Sequence, residues 1–126
     1  MEGDSTTSMK GTSVGILSRL KSVFSKPYTS VGVTEAKALV ASGATVIDVR
    51  STAEWRTGRI PAAKHVPLDR LQASSAGIRK DHPVIAVCQS GARSAVAARQ
   101  LADHGYDAYS LTGGMGAWRR SGEPTR

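Results

Sequence analysis

The chain has 126 residues, with 17 Lys or Arg against 10 Asp or Glu, for a formal net charge of +7. That length holds one modest core and not two, and the ordinary apolar content with frequent glycine fits a soluble globular domain. A single cysteine excludes an intramolecular disulfide framework and a zinc site built on several thiolates.

One unpaired thiol suits a reducing compartment, so a cytoplasmic location is expected. The basic excess could serve nucleic acid, an anionic membrane or small anions. Its residues are scattered, however, with Arg79-Lys80 and Arg119-Arg120 the only adjacent pairs and little aromatic interleaving. That pattern argues against nucleic acid and for a small anionic substrate.

Met1 to Gly11 is polar, small and aperiodic, and reads as disordered. From Ser13 to Lys26, Ile16, Leu17, Leu20, Val23 and Phe24 share one face of a predicted helix that Pro27 stops. Three readings stay open for this segment: a helix docked on the domain or fraying, a surface helix for anionic lipid or a partner protein, and an organelle transit peptide. Glu2 and Asp4 weigh against the last. No apolar run in it is long enough for a signal peptide or a membrane span.

Residues 1–27 are thus a flexible extension, and 28–124 form the folded domain. Tyr28 to Val31 predicts a short edge strand. Thr34 caps a helix through Ala36, Leu39 and Val40 that ends at Gly43. Ala44 to Val49 is too apolar on successive positions for a half-exposed strand and predicts a central one, buried on both faces. Ser51 and Glu54 form a capping box for a short helix ending at Gly58.

Between Ile60 and Leu68 two prolines allow only a very short strand flanked by turns. A helical turn over Asp69–Ala73 and a linker from Ser74 to His82 lead to the strand from Pro83 to Cys88. The helix opening at Ser94 offers Val96, Ala97, Leu101 and Ala102 to the sheet and stops at Gly105. Asp107 to Leu111 is the last strand, Gly113-Gly114 a turn, and Ala117 to Arg120 a closing helical turn. Strands alternating with helices predict an α/β domain with a central parallel sheet and helices on both faces.

Ligands in such folds bind beyond the carboxyl ends of the strands. Three ends carry useful groups: Asp48 and Arg50, Cys88, and Gly113-Gly114. Cys88 is followed by Gln89, Ser90, Gly91, Ala92, Arg93 and Ser94, a loop feeding a helix N-terminus. Backbone N–H groups and the helix dipole should lower the thiol's pKa from about 8.5 and make it a nucleophile facing an anion.

The loop from Cys88 to Arg93 has six residues. Cysteine phosphatases and arsenate reductases close a loop one residue longer around a tetrahedral oxyanion. The tighter ring suits a single sulfur atom on the cysteine, and the chain has no second cysteine for reductive turnover. His65, His82 and His104 have no partner at metal-ligand or triad spacing, so no metal site is expected. Gly113, Gly114 and Gly116 lack the context of a nucleotide fingerprint, and no cofactor is expected.

Read together, Val46-Ile47-Asp48-Val49-Arg50 with Glu54-Trp55, Gly58-Arg59-Ile60-Pro61-Ala62-Ala63 with Val66-Pro67-Leu68, Val87-Cys88-Gln89-Ser90-Gly91-Ala92-Arg93-Ser94, and Gly113-Gly114-Met115 with Ala117-Trp118 resemble a single-domain rhodanese, a thiosulfate or persulfide sulfurtransferase. The resemblance spans roughly residues 28–124. It implies a rhodanese-like α/β fold with Cys88 as the persulfide carrier. Arg59 and Ala62 depart from the His and Gly common in the family, and this leaves substrates borrowed from particular members open.

The expected reaction takes a sulfane sulfur from a small donor anion onto Cys88 and passes it to cyanide or a thiol. The amides of Gln89 to Ser94 hold the anionic sulfur. Arg93 either contacts the donor's anionic group, the preferred reading, or pins the loop through an ion pair. Asp48 and Arg50 are supporting groups, Asp48 orienting the loop and Arg50 pairing with Glu54. Trp55 and Trp118 are expected in the core. The alternative function is a non-catalytic persulfide carrier or partner-binding module.

Overall fold

The two most apolar runs, Thr45–Asp48 and Val84–Val87, lie side by side as parallel strands, Ile47 opposite Ala86. The structure, a computed structural model, describes residues 27–74 and 77–126. The predicted disorder and amphipathic helix of the N-terminal extension lie outside the described residues. In chain order the elements are β1 (Thr29–Val31), α1 (Val33–Ala41), β2 (Thr45–Asp48), α2 (Thr52–Arg56), β3 (Lys64–His65), a 3-10 turn (Leu68–Arg70) running into α3 (Leu71–Ser74), β4 (Val84–Val87), α4 (Ala92–Asp103), β5 (Ala108–Leu111) and α5 (Gly114–Arg120).

The sheet runs β1-β5-β4-β2-β3, and every neighbouring pair is parallel. The centre is therefore β4, which ends at Cys88. β2, predicted as a central strand buried on both faces, lies inside the sheet between β4 and the two-residue edge strand β3. All four residues of β4 are buried, as expected for a parallel strand covered on both faces. Val84 and Ala86 pack with Ile47, Val49 and Leu101 on the α4 side, whereas Ile85 and Val87 pack with Val46, Leu111, Met115 and Trp118 on the side of α1 and α5.

Local chemistry sets the boundaries. Gly32, not Thr34, is the N-cap of α1, because the chain turns into the helix directly after β1. The Gly32 N–H reaches back to Glu35 Oε1 at 3.4 Å. The capping box of α2 forms as predicted: Ser51 Oγ accepts from the Glu54 N–H at 3.2 Å, and Glu54 Oε1 accepts from the Ser51 N–H at 3.0 Å.

Val96 is 48% exposed and does not face the sheet. The predicted Ala97 and Leu101 are buried on α4 together with Ser94 and Ala98, and Ala102 packs partly buried beside them. The linker after α3 is pinned by Ile78, which is buried and whose carbonyl accepts from the Tyr106 hydroxyl at 3.1 Å. On the α1 and α5 side a cavity of about 320 Å³ remains between Val40, Val46, Ile85, Val87 and Trp118.

Candidate active site

Cys88 leaves the end of the central strand fully buried. Gly91 follows at φ 115°, a left-handed conformation that glycine adopts without steric cost, and it caps α4. The helix thus begins at Ala92, two residues ahead of expectation, and draws Arg93 and Ser94 into its first turn.

The Gly91 N–H points at Cys88 Sγ from 2.9 Å, and Ser94 Oγ lies 3.6 Å from the same sulfur. Burial pushes the thiol up. Hydrogen bonds from the Ser94 amide and hydroxyl and from the Gly91 and Ser90 amides outweigh it and hold the thiol below its ordinary range. Of the predicted loop residues, Ser90, Gly91 and Ser94 thus act on the sulfur directly.

The start of α5 orients the peptide that carries one of these amides, that of Ser90. Gly113 and Gly114 have φ of 77° and 52°, and the helix begins at Gly114, ahead of the predicted turn. The N–H groups of Met115 and Gly116 take the carbonyls of Cys88 and Gln89 at 2.8 and 3.2 Å. With the Gln89 carbonyl turned toward α5, the Ser90 amide on the opposite side of the same planar peptide turns toward the sulfur. The approach is so close that a Cβ on Gly114 would overlap the Cys88 carbonyl oxygen.

Two charged pairs brace the loop, differently from expectation. Arg50 does not pair with Glu54. It is buried and donates to Asp48 through Nε at 3.0 Å and Nη2 at 2.7 Å, to the Gly58 carbonyl at 2.7 Å and to Gln89 Oε1 at 3.4 Å. The Asp48 carboxylate is hydrogen-bonded to Arg50, and Arg50 in turn reaches Gln89 of the loop. Glu54 is taken by Arg93 in a two-pronged ion pair, Nη1–Oε1 2.6 Å and Nη2–Oε2 2.8 Å. The Arg93 hydrogen bond brings the Glu54 carboxyl down to about 2. Arg93 thus has the geometry of the second reading, a guanidinium fork spent on holding the loop to α2.

Ser110 was not singled out in the sequence, yet its hydroxyl lies 2.8 Å from Ser94 Oγ, buried beneath the cysteine loop. The available signal was a hydroxyl inside an otherwise apolar strand. Trp55 is only half-buried, stacked on His65 at 4.7 Å between ring centroids with the Arg59 guanidinium 4.6 Å over it. Arg59, the departure from the common histidine, is thus a cation resting on an aromatic face. Trp118 is buried, as expected.

A buried thiol lined by amides at the carboxyl end of an all-parallel sheet defines a class, the α/β domains that hold a cysteine in a loop leading into a helix N-terminus. Residues 32–121 match the rhodanese-like domain, and the chain belongs to that family. It is 39% identical over 80 residues to a sulfurtransferase of Allochromatium vinosum, covering 63% of this chain and 75% of that one. It is 38% identical over 86 residues to the thiosulfate sulfurtransferase GlpE of Pseudomonas fluorescens, covering 68% and 79%. The crystal structure of a rhodanese-related protein from Thermoplasma volcanium matches with a TM-score of 0.73 at 26% identity, over 79% of this chain and 98% of that one.

Proposed function

We propose that this protein is a sulfurtransferase that carries a sulfane sulfur on Cys88. The names of its relatives support sulfur transfer in general. The observation that carries the specific reading is the sulfur's setting, with three loop amides, the Gly91 N–H at 2.9 Å among them, converging on a thiol held below its ordinary range. In the first half-reaction the Cys88 thiolate attacks the outer sulfur of thiosulfate. The S–S bond of the donor breaks, sulfite leaves with the electron pair, and Cys88–S–S⁻ forms. In the second, cyanide or a thiolate attacks the terminal sulfur and takes it as thiocyanate or a new persulfide, which returns the Cys88 thiolate. The amides serve both steps by holding negative charge as it moves one atom outward.

The test is intact mass after incubation with thiosulfate. A gain of one sulfur atom, absent in Cys88→Ala and removed by cyanide, is the expected result. A gain from a protein persulfide but not from thiosulfate would convert the assignment to a persulfide carrier. Turnover of an aryl phosphate without sulfur uptake would overturn it.

A further inference from the structure

We infer that Ser110 is a positioning residue for the cysteine, the far end of a two-hydroxyl relay that commits the Ser94 proton to the Cys88 sulfur. The argument is one of counting protons. Ser94 Oγ has three neighbours within reach: Cys88 Sγ at 3.6 Å, the Gly91 carbonyl at 3.0 Å and Ser110 Oγ at 2.8 Å. It has a single proton for them. The Gly91 carbonyl can only accept, and so can the sulfur once it is ionised.

Among the described residues Ser94 is the only hydrogen-bond partner of the Ser110 hydroxyl. A buried hydroxyl that gave its proton to nothing would be costly, so Ser110 donates and Ser94 accepts. This fixes the direction of the pair. The Ser94 proton is free for either the Gly91 carbonyl or the sulfur.

The two protonation states then differ by one rotation. With a thiol, S–H points at Ser94 Oγ and the Ser94 hydroxyl serves the Gly91 carbonyl. When the thiol gives its proton to solvent, the Ser94 hydroxyl swings to the thiolate. The Gly91 carbonyl is not orphaned, because the Ala95 N–H already donates to it at 3.1 Å. The incoming bond from Ser110 polarises the Ser94 O–H and makes it a better donor to the anion. Serine at this strand position therefore acts on the nucleophile without touching it.

The charged groups around the sulfur are Arg93 of α4 with its partner Glu54 of α2 and the Asp48–Arg50 pair at the end of β2. None contacts Ser110 through a hydrogen bond, so a change there leaves them in place.

The experiment is a pH titration of thiolate ultraviolet absorbance in the full chain, whose single cysteine makes the signal unambiguous, with Cys88→Ser as the blank. Ser110→Ala should lower the thiolate-to-thiol ratio at fixed pH about three-fold or more, and Ser94→Ala should lower it further. The double variant should match Ser94→Ala alone, because the relay has one path. Ser110→Thr, which keeps the hydroxyl, should titrate like the wild type.

Overlay of Ser110→Ala on the wild type would overturn the inference. So would Ser110→Thr shifting as far as Ser110→Ala, which would make the effect one of packing. The inference rests on the sulfur-transfer reading for what the thiolate is used for, but the titration reads the thiol itself. A wild type that takes up no sulfur would sink that reading and leave this one to its own result.

Discussion

Glu54 serves two ends of the site with one carboxylate. It closes the capping box of α2 and takes both prongs of Arg93, so helix start and cysteine loop share an anchor. Its carboxyl lies near 2 in the folded protein against an ordinary 4.5. A lowered folded value means that the stabilisation is complete above pH 4.5 and is lost as pH falls through about 2. The pair is about one-third exposed, so solvent screening reduces its worth to about 1 kcal/mol. Glu54→Gln should cost that much in urea unfolding at pH 7 and abolish this part of the acid loss. The Asp48–Arg50 pair is the opposite case, with both side chains buried. Asp48→Asn leaves a guanidinium uncompensated in the interior and should cost about 3–5 kcal/mol by the same measurement.

At the scale of elements, the cysteine loop is a joint product of β4, α4 and α5. Gly114→Ala tests this, because the added methyl displaces the Cys88 carbonyl and its φ of 52° strains any other residue. Sulfur uptake should fall about a hundred-fold while far-ultraviolet circular dichroism stays close to the wild type. The strands and the order of elements were legible because β-branched runs and glycine stops are local signals. Cys88 and its loop were legible for the same reason. The partners of Arg50 and Arg93 were not. Arg50 lies four residues before Glu54 and Arg93 thirty-nine after it, and only the tertiary fold, which buries Arg50 on Asp48 and brings Arg93 to the carboxylate, decides between them. Ser110 was hidden likewise, since nothing within β5 announces that Ser94 lies against it.

Across the whole molecule, the two faces of the sheet are filled unequally. The α4 face is closely packed, and Leu101→Ala there should cost about 2–5 kcal/mol. The opposite face keeps its cavity of about 320 Å³, bordered by Val46. Val46→Ile places one more methylene in that space and should raise stability by about 0.5–1 kcal/mol, read as a shift of the thermal midpoint. On the tight face an added methylene would strain its neighbours instead.

The grip of α5 on the carbonyls of Cys88 and Gln89 also sets an order of events during synthesis. The cysteine emerges from the ribosome well before the segment that shapes its loop. Until Gly113 to Gly116 dock, the Cys88 and Gln89 carbonyls bond to water in place of the Met115 and Gly116 amides, and the Ser90 amide is not held toward the sulfur. The finished shape of the loop, and with it the full set of hydrogen bonds that holds the thiol below its ordinary range, therefore arrives with the last helix.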